Sequence, residues 1–135
     1  MQVQVTKSHL DKFRRKCRAS RTEMFALLVG KRLSSTKIIV TRFDYPLMFF
    51  SSPCYADPEK ESYAQIFVKA KEDGLRVLGS IHSHLDWLPI MSPTDIRTHK
   101  ASKDLISGIV EVTNGRTRVV FWQDNSCLPC DFTYT

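Results

Sequence analysis

The sequence predicts one α/β domain over residues 1–135, a mixed β-sheet flanked by helices. Three observations predict it. Short runs rich in β-branched and aromatic residues recur along the chain, interrupted by segments with helical periodicity. Asn114-Gly115 stands between two such runs and marks a tight hairpin. The chain has 135 residues, 42% hydrophobic and 25% charged, which suits one globular domain large enough for a real core.

The elements follow in order. Gln2 to Val5 reads as a first strand. Lys7 to Arg18 reads as an amphipathic helix that buries Leu10, Phe13 and Cys17. Glu23 to Val29 is predicted as a strand with Glu23, Phe25, Leu27 and Val29 on one face. Lys37 to Phe43 is its hairpin partner across Ser34-Ser35-Thr36. Asp44 to Ala56 is expected to be a loop, with Tyr45, Leu47, Met48, Phe49 and Phe50 as an apolar cluster that folds inward. Asp57-Pro58 is expected to open a helix, since proline suits the first helical position. Tyr63, Ile66, Phe67 and Ala70 then form its apolar stripe, and Gly74 ends it. Arg76 to Ile81 reads as a buried strand, and Ser92-Pro93 opens a third helix. Leu105 to Thr113 and Arg116 to Gln123 are the strands around Asn114-Gly115, and Asp131 to Tyr134 is a last, edge strand.

Chemistry concentrates between Ser80 and His99. His82 and His84 follow the buried strand two residues apart, so their side chains share a face. Their Cα atoms should be roughly 6.5 Å apart, close enough for both imidazoles to reach one ion at about 2.0–2.1 Å. A loop from Leu85 to Met91 would return Ser92-Pro93-Thr94-Asp95 over the strand end, where Asp95 could add a carboxylate oxygen. Three protein ligands leave a fourth position open, the arrangement of a catalytic zinc site. Each part is ordinary alone: a strand-end histidine is usually a polar surface residue, and Ser-Pro-Thr-Asp is a good helix start. Their order and separation make them specific. His99 shares the Asp95 helix face and is a rival ligand; Asp86 is another. Glu111 reads as a cross-strand partner.

His82-Ser83-His84, seven residues, then Ser92 and Asp95 resembles the metal motif of the JAMM, or MPN-plus, metalloproteases. Glu23-Met24-Phe25-Ala26-Leu27-Leu28-Val29-Gly30 is similar to the family's upstream glutamate strand. Leu85-Asp86 stand where the family usually has Pro and often Gly, a departure that bears on the shape of the site loop. The resemblance implies a cytidine-deaminase-like JAB/MPN fold with a curved sheet, and one zinc per chain on His82, His84 and Asp95. It implies Glu23 as general acid/base, because a carboxylate near a water of lowered pKa can take its proton and pass it to a leaving amine. It implies Ser92 as the oxyanion donor, with the hydroxyl oxygen left to cap the helix. Asp86 and Trp87, in the loop, are the candidate substrate contacts. Relatives with this ligand set cleave after the C-terminal glycine of ubiquitin or a ubiquitin-like protein. That protein or its conjugates is therefore the expected partner, with conjugation-pathway enzymes beside it. An extended tail is expected to bind by strand addition beside the metal strand. Processing of a sulfur-carrier protein or a peptide, and a non-catalytic MPN-type scaffold, are the alternatives.

Composition bounds the remaining classes. Apolar runs fall short of the roughly 20 residues of a membrane span. Met1-Gln2-Val3-Gln4 starts like a strand and not like a signal peptide. Cys17, Cys54, Cys127 and Cys130, without an export signal, point to reduced thiols and a cytoplasmic location. Cys127 and Cys130 have half of a zinc-knuckle spacing with no second pair, and read as a turn with two free thiols. The net charge of +6 gathers on the first helix. A solvated helix face is preferred to nucleic-acid binding, since aromatics are not interleaved with the cations.

Overall fold

The structure, a computed structural model, describes the backbone of every residue except 53–54, 103 and 124–127, and of those described the side chains of all but 55 and 99–102. The order is β1 (Gln2–Val5), α1 (Lys7–Ala19), β2 (Phe25–Ser34), β3 (Lys37–Asp44), β4 (Met48–Ser52), β5 (Tyr55–Pro58), α2 (Lys60–Glu72), β6 (Arg76–Leu85), α3 (Pro93–Ser102), β7 (Ile106–Thr113), β8 (Arg116–Gln123) and β9 (Leu128–Tyr134).

Seven strands curl into one closed sheet, β1-β3-β2-β6-β7-β8-β9, with β1 closing on β9. β1 runs parallel to both neighbours and β6 runs parallel to β7; the other pairs are antiparallel. The expected mixed, curved sheet is therefore shut on itself, and Asp131–Tyr134 is not an edge: β9 is paired on both sides, by β8 and β1. Val3, Val5, Ile38, Val40, Ile81 and Phe121 are fully buried, and α1 adds Leu10, Phe13 and Cys17 as its pattern predicts. Asn114 and Gly115 both take positive φ, 54° and 74°, the conformation a two-residue hairpin turn of matching twist needs.

Three expectations are corrected. The segment after Asp44 is not a loop, because Met48–Ser52 and Tyr55–Pro58 pair as a separate two-stranded hairpin. Pro58 pairs with Met48 at the end of β5, so it cannot open α2; Glu59 caps that helix instead, its carboxylate accepting from the N–H groups of Glu61 (2.9 Å) and Ser62 (2.8 Å). The apolar cluster does not fold inward. Tyr45 packs against Phe13, but Leu47, Met48, Phe49 and Phe50 are exposed because the hairpin lies outside the closed sheet. The α2 stripe is likewise shallow, with Ala70 buried and Phe67 41% exposed. Among the described residues no helix is long and apolar enough to cross a membrane.

Candidate metal centre

The site is built on β6. Leu28 faces Gly79 across β2 and Ile106 faces it across β7. A Cβ at Gly79 would lie 1.9 Å from the Ile106 carbonyl oxygen, so glycine is what lets β7 pair this closely. Pairing with β7 continues to Leu85↔Val112 and ends with the Asp86 N–H donating to the Val112 carbonyl at 2.8 Å. Asp86 then turns the chain off the sheet at φ 57°, a left-handed conformation that aspartate tolerates better than most residues. Leu85 and Asp86, at the positions where the motif usually has Pro and Gly, thus end the strand.

The loop folds back over His84. The His84 Nδ1 and the Leu88 carbonyl are 2.7 Å apart, and the Trp87 ring packs against the imidazole with centroids 4.5 Å apart, tilted by 31°. Trp122 Nε1–H donates to the Pro89 carbonyl at 2.9 Å, fixing the far side of the loop. A carbonyl can only accept, so the bond to Leu88 puts the proton of the neutral imidazole on Nδ1 and leaves the Nε2 lone pair facing inward, where a second proton would donate to Asp95.

The third donor arrives through a helix cap. The Ser92 N–H donates to Asp95 Oδ2 (2.9 Å), and the Ser92 hydroxyl oxygen accepts from the Asp95 N–H (3.0 Å), a reciprocal capping box. This pins the Asp95 side chain at the helix start, with Oδ2 3.3 Å from both His82 Nε2 and His84 Nε2. The two Nε2 atoms are 3.0 Å apart. A tetrahedral ion with bonds of about 2.0–2.1 Å has ligand atoms about 3.3–3.4 Å apart, so one of these three donors' spacings falls slightly short and the other two agree. The donor set of two imidazoles and one carboxylate, all within 4.8 Å, fits a zinc ion.

The electrostatics follow from this packing. Burial would raise the Asp95 carboxyl, but hydrogen bonds from His82 and His84 outweigh it and hold that carboxyl well below the usual carboxylate range. Burial would lower His84, yet its bonds to Asp95 and to the Leu88 carbonyl raise it above 6.5. Burial raises Glu23, partly offset by the neighbouring His82 and His84.

Glu23 and Ser92 line the same cavity of about 710 Å³ as the three donors, and Trp87 stands at its rim, 47% exposed. Glu23 lies two residues before β2 begins, not within the strand. Asp86 is exposed and lies outside the donor cluster; the side chain of His99 lies outside the described residues. Glu111 pairs with Arg118 across the β7–β8 hairpin at 3.0 Å. Cys17 and Cys130 are free thiols, while Cys54 and Cys127 lie outside the described residues. Beside the metal strand most of the edge is taken, with β2 pairing Arg76 to His82 and β7 pairing Gly79 to Leu85.

The sequence reading missed the wall opposite the loop. Ala56, Asp57 and Pro58 of the β4–β5 hairpin and Lys60 and Tyr63 of α2 line the cavity. The β-prone run Met48-Phe49-Phe50 was the available signal for that hairpin.

The prokaryotic homologs of the JAB domain, as a family, match residues 6–124. A solution structure of a protein from Desulfitobacterium hafniense is similar at a TM-score of 0.71 and 16% identity, covering 98% of this chain and 92% of that one. A solution structure of a protein from Salinibacter ruber (strain DSM 13855) is similar at 0.70 and 21% identity, covering 98% and 91%. At these identities the likeness concerns the fold. Comparison with curated proteins finds no match.

Proposed function

We propose, from the premise that this chain belongs to the prokaryotic homologs of the JAB domain, that it is a zinc-dependent isopeptidase or peptidase. It cuts after the C-terminal glycine of a ubiquitin-like protein. The observation that carries this reading is the convergence of His82, His84 and Asp95 in the cavity that Glu23 and Ser92 also line.

His82 and His84 would hold the ion through Nε2 and Asp95 through a carboxylate oxygen. Bound there, zinc supplies Lewis acidity toward a carbonyl and lowers the pKa of water toward about 7. Glu23 takes the proton of the attacking water and returns it to the leaving amine. Burial raises its basicity, which suits that exchange. The Ser92 hydroxyl oxygen is engaged by the Asp95 N–H, which leaves its own proton to donate to the oxyanion. Trp87, held on His84, offers an apolar face to the residues before the scissile bond.

A protein substrate suits the surroundings. Leu47, Phe49 and Phe50 on one flank and Trp87, Leu88 and Ile90 on the other are exposed apolar surface. β4 and β5 pair only with each other, so each keeps its whole outer edge unpaired beside the cavity, and an extended tail that pairs with the enzyme does so there.

The test is cleavage of a ubiquitin-like protein fused through its terminal glycine to a downstream peptide. Cleavage directly after the glycine, stopped by a chelator and restored by zinc, is expected. Zinc binding without cleavage of any glycine-ended fusion would count against the reading.

A further inference from the structure

Glu23 sits outside the sheet ladder: β2 pairs with β6 from Phe25↔His82 onward. Its place is nevertheless fixed from two sides by side chains that are not among the metal donors. On one side Ser83 is fully buried between the two histidines in sequence and points away from them, toward α1. Its hydroxyl oxygen accepts the Met24 N–H at 2.8 Å, and its own N–H donates to the Met24 carbonyl at 3.1 Å. The Cys17 side chain hydrogen-bonds to Ser83 from behind. On the other side the Ser51 hydroxyl donates to the Glu23 carbonyl at 2.7 Å, and the Glu23 N–H donates to the Ser52 carbonyl at 2.7 Å.

We propose that Ser51 and Ser83 are positioning residues for Glu23, clamping its backbone between the β4–β5 hairpin and the metal strand. The two hydroxyls add to the backbone bonds with Ser52 and Ser83 where the regular β2 ladder has not yet begun, so the carboxylate is aimed by this clamp. It also ties the base to the hairpin that carries the exposed apolar flank, so hairpin and base move as one unit. The inference rests on the proposed reaction for its kinetic consequence, but not for the clamp itself.

Ser51→Ala, Ser51→Thr and Ser83→Ala test it, read by zinc content, by kcat and KM on a glycine-ended fusion, and by amide hydrogen exchange at Glu23 and Met24. Ser51→Ala and Ser83→Ala should keep zinc and KM, exchange faster at these amides, and lose roughly 10- to 100-fold in kcat, the scale of a small misplacement of a reacting group. Ser51→Thr, which keeps the hydroxyl, should recover kcat and protection. Ser83→Ala leaves a buried N–H unpaired and could fail to fold, in which case Ser51→Ala decides alone. Parental kcat in a zinc-loaded Ser51→Ala overturns the proposal, as does a loss that Ser51→Thr does not recover. If the parent cuts no fusion, the reaction falls, and the clamp stands or falls on whether exchange at Glu23 and Met24 rises in the alanine variants.

Discussion

His84 does two things with one ring. Its Nδ1–H donates to the Leu88 carbonyl, which leaves Nε2 available as a metal donor, and its face supports Trp87. A proton and a zinc ion compete for Nε2, so metal affinity must depend on pH. His84 is raised above 6.5 because its bonds to Asp95 and the Leu88 carbonyl overcome burial. A raised histidine gives the metal-free fold stability that is present below the unfolded pKa and lost as pH rises through the folded one. Zinc binding gains in the opposite direction. Its affinity should weaken by roughly tenfold per pH unit as pH falls below the raised pKa of His84, where that ring gives up one proton per ion bound. Competition with a chelator across that range checks this, and a flat affinity would mean that His84 is not a ligand. Burial pushes the Cys17 thiol up to about 12, so it stays protonated at neutral pH and serves as packing and a hydrogen-bond partner behind Ser83.

Among the elements, β6 decides most. Gly79 lets β7 approach within pairing distance, and a Cβ there would overlap the Ile106 carbonyl, which cannot swing aside as a side chain could. Gly79→Ala should therefore destabilise the fold by about 3 kcal/mol, the upper end of ordinary overpacking. Denaturant unfolding measures it; a loss below about 1 kcal/mol would show that the β6–β7 pair shifts freely. Elements with strong local periodicity were legible in the sequence: α1 with Leu10, Phe13 and Cys17, the β7–β8 hairpin at Asn114-Gly115, and the strand carrying His82 and His84. The cap at Ser92 was legible too, because it is local, and it delivers Asp95 to the histidines. The β4–β5 hairpin was not legible. Its pattern is broken by Pro46 and Pro53, and its partner is itself, outside the main core. For the same reason Pro58 read as a helix start, when only pairing with Met48 shows it to be a strand end. The roles of Ser51 and Ser83 depend on contacts over 28 and 59 residues, which no local pattern encodes.

Over the whole molecule, the closed sheet separates two surfaces. One carries the cavity, with Glu23, Asp57, Asp95 and Asp104 around it and apolar flanks on both sides. The other carries α1, whose Lys12, Arg15, Lys16 and Arg18 are exposed; Lys12 and Lys16 lie over the Tyr45 ring. Ser83 faces α1 while its neighbours His82 and His84 face the cavity, so a single strand divides the two. The cavity-lining side chains come from β6, the helix cap of α3, the approach to β2, the outer hairpin and α2, so separate elements around the closed sheet converge on the site. Under the proposed function, this assembly uses Glu23 to move protons at a zinc site without using it to hold zinc. Single-turnover cleavage of a glycine-ended fusion by Glu23→Gln, with zinc content measured on the same preparation, tests that claim directly. The glutamine keeps size and hydrogen bonding but cannot take a proton. A zinc content equal to the parent's with cleavage slowed at least roughly 100-fold is predicted; cleavage at the parental rate by the zinc-loaded variant would contradict it.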